Sequence, residues 1–248
     1  MPKADLKFEI NENNQRIKAL LRKYPLLRTE LTGWAKSEVY IENKVLIPKN
    51  ENISLNYTYM QNQQGAMDYI TRKKYQIINL SKASTQEISS ARIGMASEIR
   101  SLHQMLCKNT GIIGGALRIE ERILGLLNII APGPELIYYK MDDVYYYMID
   151  DKLDPISKAL RAHIDIVTIQ PFRDYNKRLA RMAMNWTLVQ NGYTPMLFHY
   201  KQDREKYMHA IAKRDGKSTY YDFMQKIMLR SQNEIIQILS KGGKITRQ

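Results

Sequence analysis

Apolar residues recur three and four positions apart along most of this chain, the period of a helix with one buried face. Ile17, Leu20, Leu21, Tyr24 and Leu27 share one stripe across residues 11–27. Ala66, Tyr69, Ile70, Lys73 and Ile77 keep one register over residues 61–80. Ile88, Arg92, Met95, Ile99, Leu102 and Leu106 do so over residues 85–108. The same spacing predicts helices at 31–40, 154–169, 176–190, 203–213 and 220–239. Asp142 reads as the cap of another over 142–148, and Pro155 sits in a first turn, where proline is tolerated. Residues 44–56 and 109–117 read as loops. Pro132, Gly133 and Pro134 read as a turn before a β-prone piece, Leu136–Tyr139. The predicted class is all-α (mainly α), with at most one short β-hairpin. Three regions are expected: an N-terminal helical region over 1–95, a core over 96–200, and closing helices over 201–248.

Composition narrows the class. With 248 residues and 44% hydrophobic content the chain can bury a sizeable core, which excludes disorder as its main state. Cys107 is the only cysteine, so no internal disulfide forms and a reducing compartment fits. Four histidines leave little material for a zinc site. The net charge of +13, weighted toward both ends, favours anionic partners or plain solvated helix faces. Met1–Asn14 has no apolar core of a signal peptide, and Ile123–Ala131 is too short to span a membrane. The expected location is cytoplasmic, or outside the cell as an effector exported by a route that leaves no such mark.

One stretch carries chemistry: Ile169-Gln170-Pro171-Phe172-Arg173-Asp174-Tyr175-Asn176-Lys177-Arg178-Leu179-Ala180-Arg181. A helix ends, a tight loop follows, and a second helix begins with Arg178 and Arg181 on one face. The first N–H groups of that helix point into the loop, so helix start plus arginines forms an anion site, most naturally for phosphate. Asp174 can hold Mg²⁺ against that phosphate. A surface loop with salt-bridged arginines is the plainer alternative.

This stretch resembles the signature of the Fic/Doc (Fido) family, His-Pro-Phe-x-(Asp/Glu)-Gly-Asn-Gly-Arg-x-x-Arg. Pro171, Phe172, Asp174, Asn176, Arg178 and Arg181 match in order and spacing. Leu102-His103-Gln104-Met105-Leu106 resembles an early family helix, and Gly114 to Arg118 resembles its Gly-x-x-Arg loop. Tyr207, Asp215-Gly216 and Phe223 fit its last helices. The resemblance implies a helical fold with a short β-hairpin flap, expected at about 132–141, where a protein target would dock. It implies ATP with Mg²⁺ as cofactor and AMP transfer to a Ser, Thr or Tyr hydroxyl, the motif histidine acting as base. Asn176, Lys177, Arg178 and Arg181 would bind the nucleotide, and Asp174 would hold the Mg²⁺.

The departures matter as much. Gln170 stands at the base position, and an amide has no basic nitrogen near neutral pH. Losing a positioned general base costs about 10²–10⁴-fold in rate. His163 lies about 10 Å back along the helix axis and reads as a packing histidine. Tyr175 and Lys177 replace both motif glycines, narrowing the anion cradle. Asp174-Tyr175-Asn176-Lys177-Arg178 is closer to the Doc branch, which resembles a kinase. Residues 36–46, with Glu42-Asn43, resemble the family's inhibitory helix, whose glutamate would pair with Arg181; Ser89–Gly94 is a weaker match to the same pattern.

There are 17 tyrosines against 4 phenylalanines. Tyr138, Tyr139, Tyr145, Tyr146 and Tyr147 cluster near the expected flap, as core packing or as a docking or self-association surface that would make a homo-oligomer. Three functions follow in order. The first is a catalytically impaired Fic-fold binding or regulatory module. The second is an active adenylyl- or phosphotransferase with a non-standard base. The third is a basic nucleic-acid-binding protein, ranked last because no nucleic-acid motif is present.

Overall fold

The computed structural model describes residues 5–23, 53–125, 129–196, 200–213 and 217–240. In chain order these form helices α1 (Leu6–Lys23), α2 (Ile53–Arg72) and α3 (Thr85–Cys107), then strands β1 (Ile123–Leu124) and β2 (Ile129–Ile130). Helices α4 (Pro134–Ile149), α5 (Pro155–Ile169), α6 (Asn176–Gln190), α7 (Tyr200–Ala212) and α8 (Lys217–Ser240) follow. The mainly helical class with one short hairpin is borne out. Among the described residues no helix is long and apolar enough to cross a membrane.

The helices fall into two compact units, residues 1–46 with 193–248, and residues 47–192. In the first, α1 packs on α8 through Ile17, Ile235, Ile236 and Leu239. The buried Gln232 donates its amide to the Ile10 carbonyl at 3.1 Å. Arg230 grips Asp203 with both nitrogens, at 2.8 and 2.6 Å, joining α7 to α8 by the two-pronged geometry that makes such pairs strong.

The second unit is built around α5 and α6, which make the most extensive helix pair in it. Local sequence sets the boundaries. Ser84 and Glu87 form a reciprocal capping box at the start of α3. Asp154 caps α5 by accepting from the Ser157 N–H at 2.8 Å, with Pro155 in the first turn.

Three expectations shift. Leu136–Tyr139 is helical, not β, and Asp142 lies within α4 rather than at its start. Ile137, Met141, Val144 and Met148 are buried at helical spacing straight through Asp142, and that apolar stripe outweighs local β preference. Asp142 instead pairs sideways with Arg92 of α3. The antiparallel hairpin pairs Ile123 with Ile130 and Leu124 with Ile129, so it precedes the expected 132–141 and residues 134–141 are helix. Helix α2 begins at Ile53, inside the expected 44–56 loop, and stops at Arg72 rather than reaching residue 80. The carbonyls freed there are taken by α6: Trp186 Nε1 donates to Lys73 at 2.7 Å and Gln190 to Tyr75 at 2.8 Å. The expected 31–40 helix lies outside the described residues. The tyrosines divide, with Tyr145 and Tyr147 in the core and Tyr138, Tyr139 and Tyr146 exposed.

Two glycines give opposite predictions. A Cβ on Gly94, within α3, would meet nothing, so Gly94→Ala is expected to raise unfolding free energy by about 0.8–1 kcal/mol through helix propensity. A Cβ on Gly114 would fall 2.5 Å from the Gln104 Cα, a backbone atom that cannot give way. Gly114→Ala is expected to cost about 1–3 kcal/mol. Urea unfolding of both variants reads the difference in sign.

Candidate functional site

The α5–α6 connection is framed by two non-glycine residues in left-handed conformation. Gln170 (φ 50°, ψ 58°) caps the end of α5, and Tyr175 (φ 61°, ψ 8°) precedes α6. Such backbone costs on the order of 1 kcal/mol per residue and persists only where neighbours hold it. Asn176 supplies part of that hold. Its Oδ1 accepts from the Phe172 N–H at 2.9 Å, and its Nδ2 donates to the Phe172 carbonyl at 2.7 Å and to Gln170 Oε1 at 3.3 Å. Gln170 Nε2 donates to the Val167 carbonyl at 2.6 Å. Both ends of the Gln170 amide are therefore bonded to the helix ends that flank the turn, Val167 of α5 and Asn176 of α6.

Arg118 supplies more. It is 3% exposed, and its guanidinium donates to four carbonyls. Nε reaches Gln170 at 2.6 Å, one terminal nitrogen reaches Glu120 at 2.5 Å, and the other reaches Pro132 at 2.5 Å and Ile169 at 3.1 Å. Its backbone N–H donates to the Pro171 carbonyl at 3.0 Å. One side chain thus ties the end of α5 to both feet of the hairpin. Burial lowers its pKa, and nearby carboxylates oppose that shift.

His103 closes the turn from beneath. Its ring stacks on the fully buried Phe172, centroids 3.9 Å apart and planes 11° from parallel. Nδ1 accepts from the Gly115 N–H at 2.8 Å. That assigns the proton to Nε2, which donates to the Asp174 carbonyl at 3.0 Å. Burial lowers the His103 pKa, partly offset by the bond to Asp174, so the ring is held neutral. Cys107 lies against it, and burial raises its thiol pKa to about 11, which leaves the thiol protonated and unreactive.

The exposed face holds the charged groups. Asp174 is exposed, and its Oδ1 accepts from the Tyr175 N–H at 2.6 Å. Lys177 is exposed, and Arg178 and Arg181 are half-buried. The Tyr175 ring is buried, with the Arg178 guanidinium over its face at 4.6 Å. No side chain caps the start of α6. An open cleft of about 590 Å³ borders this face, lined by Leu117, Arg118, Arg122, Arg173 and Asp174 among others, within the usual size range for small-molecule sites. Arg122 also donates to the Arg173 carbonyl, bracing the loop from the hairpin side. For a metal-bound nucleotide phosphate these groups fit in part. Cations and a carboxylate share one face, whereas Gln170 offers no base. Among the described residues no cluster of three or more His, Cys, Asp or Glu can hold a metal by itself.

Of the sequence candidates, Gln170, Asp174, Asn176, Lys177, Arg178 and Arg181 lie on this one turn and the start of α6. Asn176 is spent inside the loop. His163 is fully buried, as expected of a packing histidine. Glu42 and the rest of 36–46 lie outside the described residues. Sequence reasoning gave no role to Arg118 or to His103 as a prop. Their signal in the sequence was the resemblance of Gly114 to Arg118 and of Leu102 to Leu106 to family segments, which carries no information about these contacts.

Residues 95–188 match the family model described as the Fic/DOC family. The chain is 32% identical over 118 residues to protein adenylyltransferase Fic of Drosophila willistoni, covering 46% of this chain and 23% of that protein. It is 25% identical over 114 residues to protein adenylyltransferase fic-1 of Caenorhabditis elegans, covering 44% of this chain and 22% of that protein. The matched part thus spans about a quarter of the length of these relatives. Among solved structures, a Fic domain containing signaling protein from Bacteroides thetaiotaomicron superposes with TM-score 0.73 at 17% identity, covering 97% of this chain and 99% of that one. Fic-1 from C. elegans superposes with TM-score 0.64 at 15% identity, covering 94% and 73%.

Two predictions come from this geometry. Arg118→Ala leaves four buried or half-buried carbonyls without their donor and is expected to cost about 3 kcal/mol or more in urea unfolding. Arg118→Lys should recover little, because one ammonium cannot replace the fork. The His163 pKa is lowered from 6.5 to about 3 by burial and by the charge of Arg181. The unfolded chain therefore takes up that proton first. Stability contributed by neutral His163 is complete above pH 6.5 and is lost as pH falls, by up to about 1.4 kcal/mol per pH unit. Unfolding curves from pH 7 to pH 4.5 should show a shallower decline for His163→Gln.

Proposed function

We propose that this chain, whose residues 95–188 match the Fic/DOC family model, binds the phosphates of ATP with Mg²⁺ at the 170–181 turn and acts as a binding or regulatory module, impaired in AMP transfer. Asp174 would hold the metal. Lys177, Arg178, Arg181 and the open start of α6 would hold the phosphates. Bound ATP supplies an AMP or phosphoryl group for transfer to a hydroxyl. A protein target docks at the hairpin and the segment to residue 141, and Glu42, outside the described residues, is the candidate inhibitory carboxylate.

The observation that carries the impairment is Gln170. Its amide has no basic nitrogen, and both of its ends bond to the helix ends that flank the turn. Asp174, on the exposed face of the turn, is given to the metal in this reading, and His163 is sealed in the core. A general base supplies about 10²–10⁴-fold, so a site that keeps cations and loses the base keeps binding and loses most turnover. The second reading, an active protein-modifying transferase, is favoured by the retained Asp174, Arg178 and Arg181 and by the adenylyltransferase names of the relatives.

Two measurements test this. Calorimetry should detect ATP binding that needs Mg²⁺ and is lost in the Asp174→Ala, Arg178→Ala double variant. With α-phosphate-labelled ATP and cell lysate, Gln170→His should label protein at least about 10²-fold more than wild type. Strong labelling by wild type, abolished by the double variant, would overturn impairment in favour of the active transferase.

A further inference from the structure

The surface where α3 meets α4 carries a second groove, which shares Tyr138 with the proposed target-docking segment and none of its residues with the nucleotide turn. Its volume is about 440 Å³. One wall is the α3 stripe Arg92, Ala96, Ser97, Arg100, Ser101 and Gln104; the other is Tyr138, Asp142 and Tyr145 of α4. These positions recur at three and four, so each wall is one continuous helix face over several turns. From this groove we infer a docking site for an amphipathic helix of another protein that presents apolar residues and a carboxylate on one face.

Three observations carry it. First, the charge in the groove is uneven. Arg92 is neutralised by Asp142. Arg100, two turns along the same wall, is exposed and makes no hydrogen bond or ion pair with any described residue. The groove therefore keeps one uncompensated guanidinium, which a carboxylate from outside would complete. Second, its rim carries large apolar and aromatic surface of the kind that anchors interfaces. Ile93 is 68% exposed and Tyr138 64%, while Tyr146, 42% exposed, lies beneath the Arg92 guanidinium at 5.6 Å. Tyr138 packs edge-on against Tyr139, itself exposed. Third, Gly94 stands one turn before Ser97 on α3 with open space over its α-carbon. Glycine within a helix is unfavourable, and no contact among the described residues requires it there. A helix laid along α3 beside the groove would meet no side chain at that position. A groove between two adjacent helix faces that carry both polar and apolar side chains is a surface into which a helix lays its face.

The partner is defined by charge. With the Arg92–Asp142 pair neutral, Arg100 rejects a basic stripe and accepts an acidic one. The test uses two synthetic helical peptides, one repeating Leu-x-x-Glu-Leu-x-x and its counterpart with Lys for Glu. Both are titrated into the full chain by fluorescence anisotropy. The acidic peptide is expected to bind and the basic one not. Arg100→Glu should weaken the acidic peptide more than about tenfold, as expected for loss of a central charged anchor. Gly94→Trp should block it. Arg100 is exposed and bonded to nothing described, so Arg100→Glu should keep the wild-type melting temperature. Asp174→Ala should bind the peptide like wild type, which separates this groove from the nucleotide turn. Absence of binding, equal binding of the two peptides, or undiminished affinity in Arg100→Glu overturns the inference. So does self-association of wild type that Gly94→Trp abolishes in light scattering, which would give the groove to a second copy of this chain.

Discussion

The Arg118 guanidinium gathers the carbonyls of Ile169, Gln170, Glu120 and Pro132 around one buried charge. Those four groups belong to the end of α5 and to both feet of the hairpin. Without that donor each carbonyl would be partly desolvated and unpaired, and the left-handed turn at Gln170 would have little to hold it. A buried cation is costly unless paired or richly hydrogen-bonded, and here backbone carbonyls accept its hydrogen bonds while nearby glutamates add favourable charge. The turn that carries Asp174 and starts α6 thus depends on a residue some fifty positions earlier in the chain.

The rest of the turn is built by the same economy of fixed bonds. Asn176 closes it from within, and His103 props it from below with one nitrogen accepting and the other donating. These contacts are neutral and buried, so they set shape rather than supply protons. The groups that can meet a ligand, Asp174, Lys177, Arg178 and Arg181, stand on the outer side. Rigid inner bonds with charges outside are the basis of the phosphate-holding role proposed for this turn, and the Gln170 amide is turned inward too.

Much of the helical layout was legible along the chain. Where caps and apolar periodicity agree, as at Ser84–Glu87, Asp154–Pro155 and 176–190, boundaries fell close to expectation. It was less legible where local preference and burial disagreed. Leu136–Tyr139 has β-prone residues after a Pro-Gly-Pro turn, yet Ile137 and Met141 begin a stripe that must be buried, and helix wins. Residues 73–77 have helical apolar spacing, but their carbonyls are claimed by Trp186 and Gln190 from a distant helix, and the helix stops at Arg72.

By itself the sequence determined the helical class, the family resemblance and the identity of the groups on the turn. It also determined that the base position holds an amide, because a side chain's chemistry does not depend on where it is placed. Only the tertiary structure decided which groups face inward. Asn176 and Gln170 became bonds within the loop, His163 became neutral core, Arg118 became the clamp, and Arg100 was left without a counter-charge. The hold of Arg118 on Ile169 and Gln170 and the Arg92–Asp142 pair join residues about fifty positions apart, about which spacing along a chain carries no information, while the short-range bonds of Asn176 and Gln170 form only because the fold holds the turn left-handed.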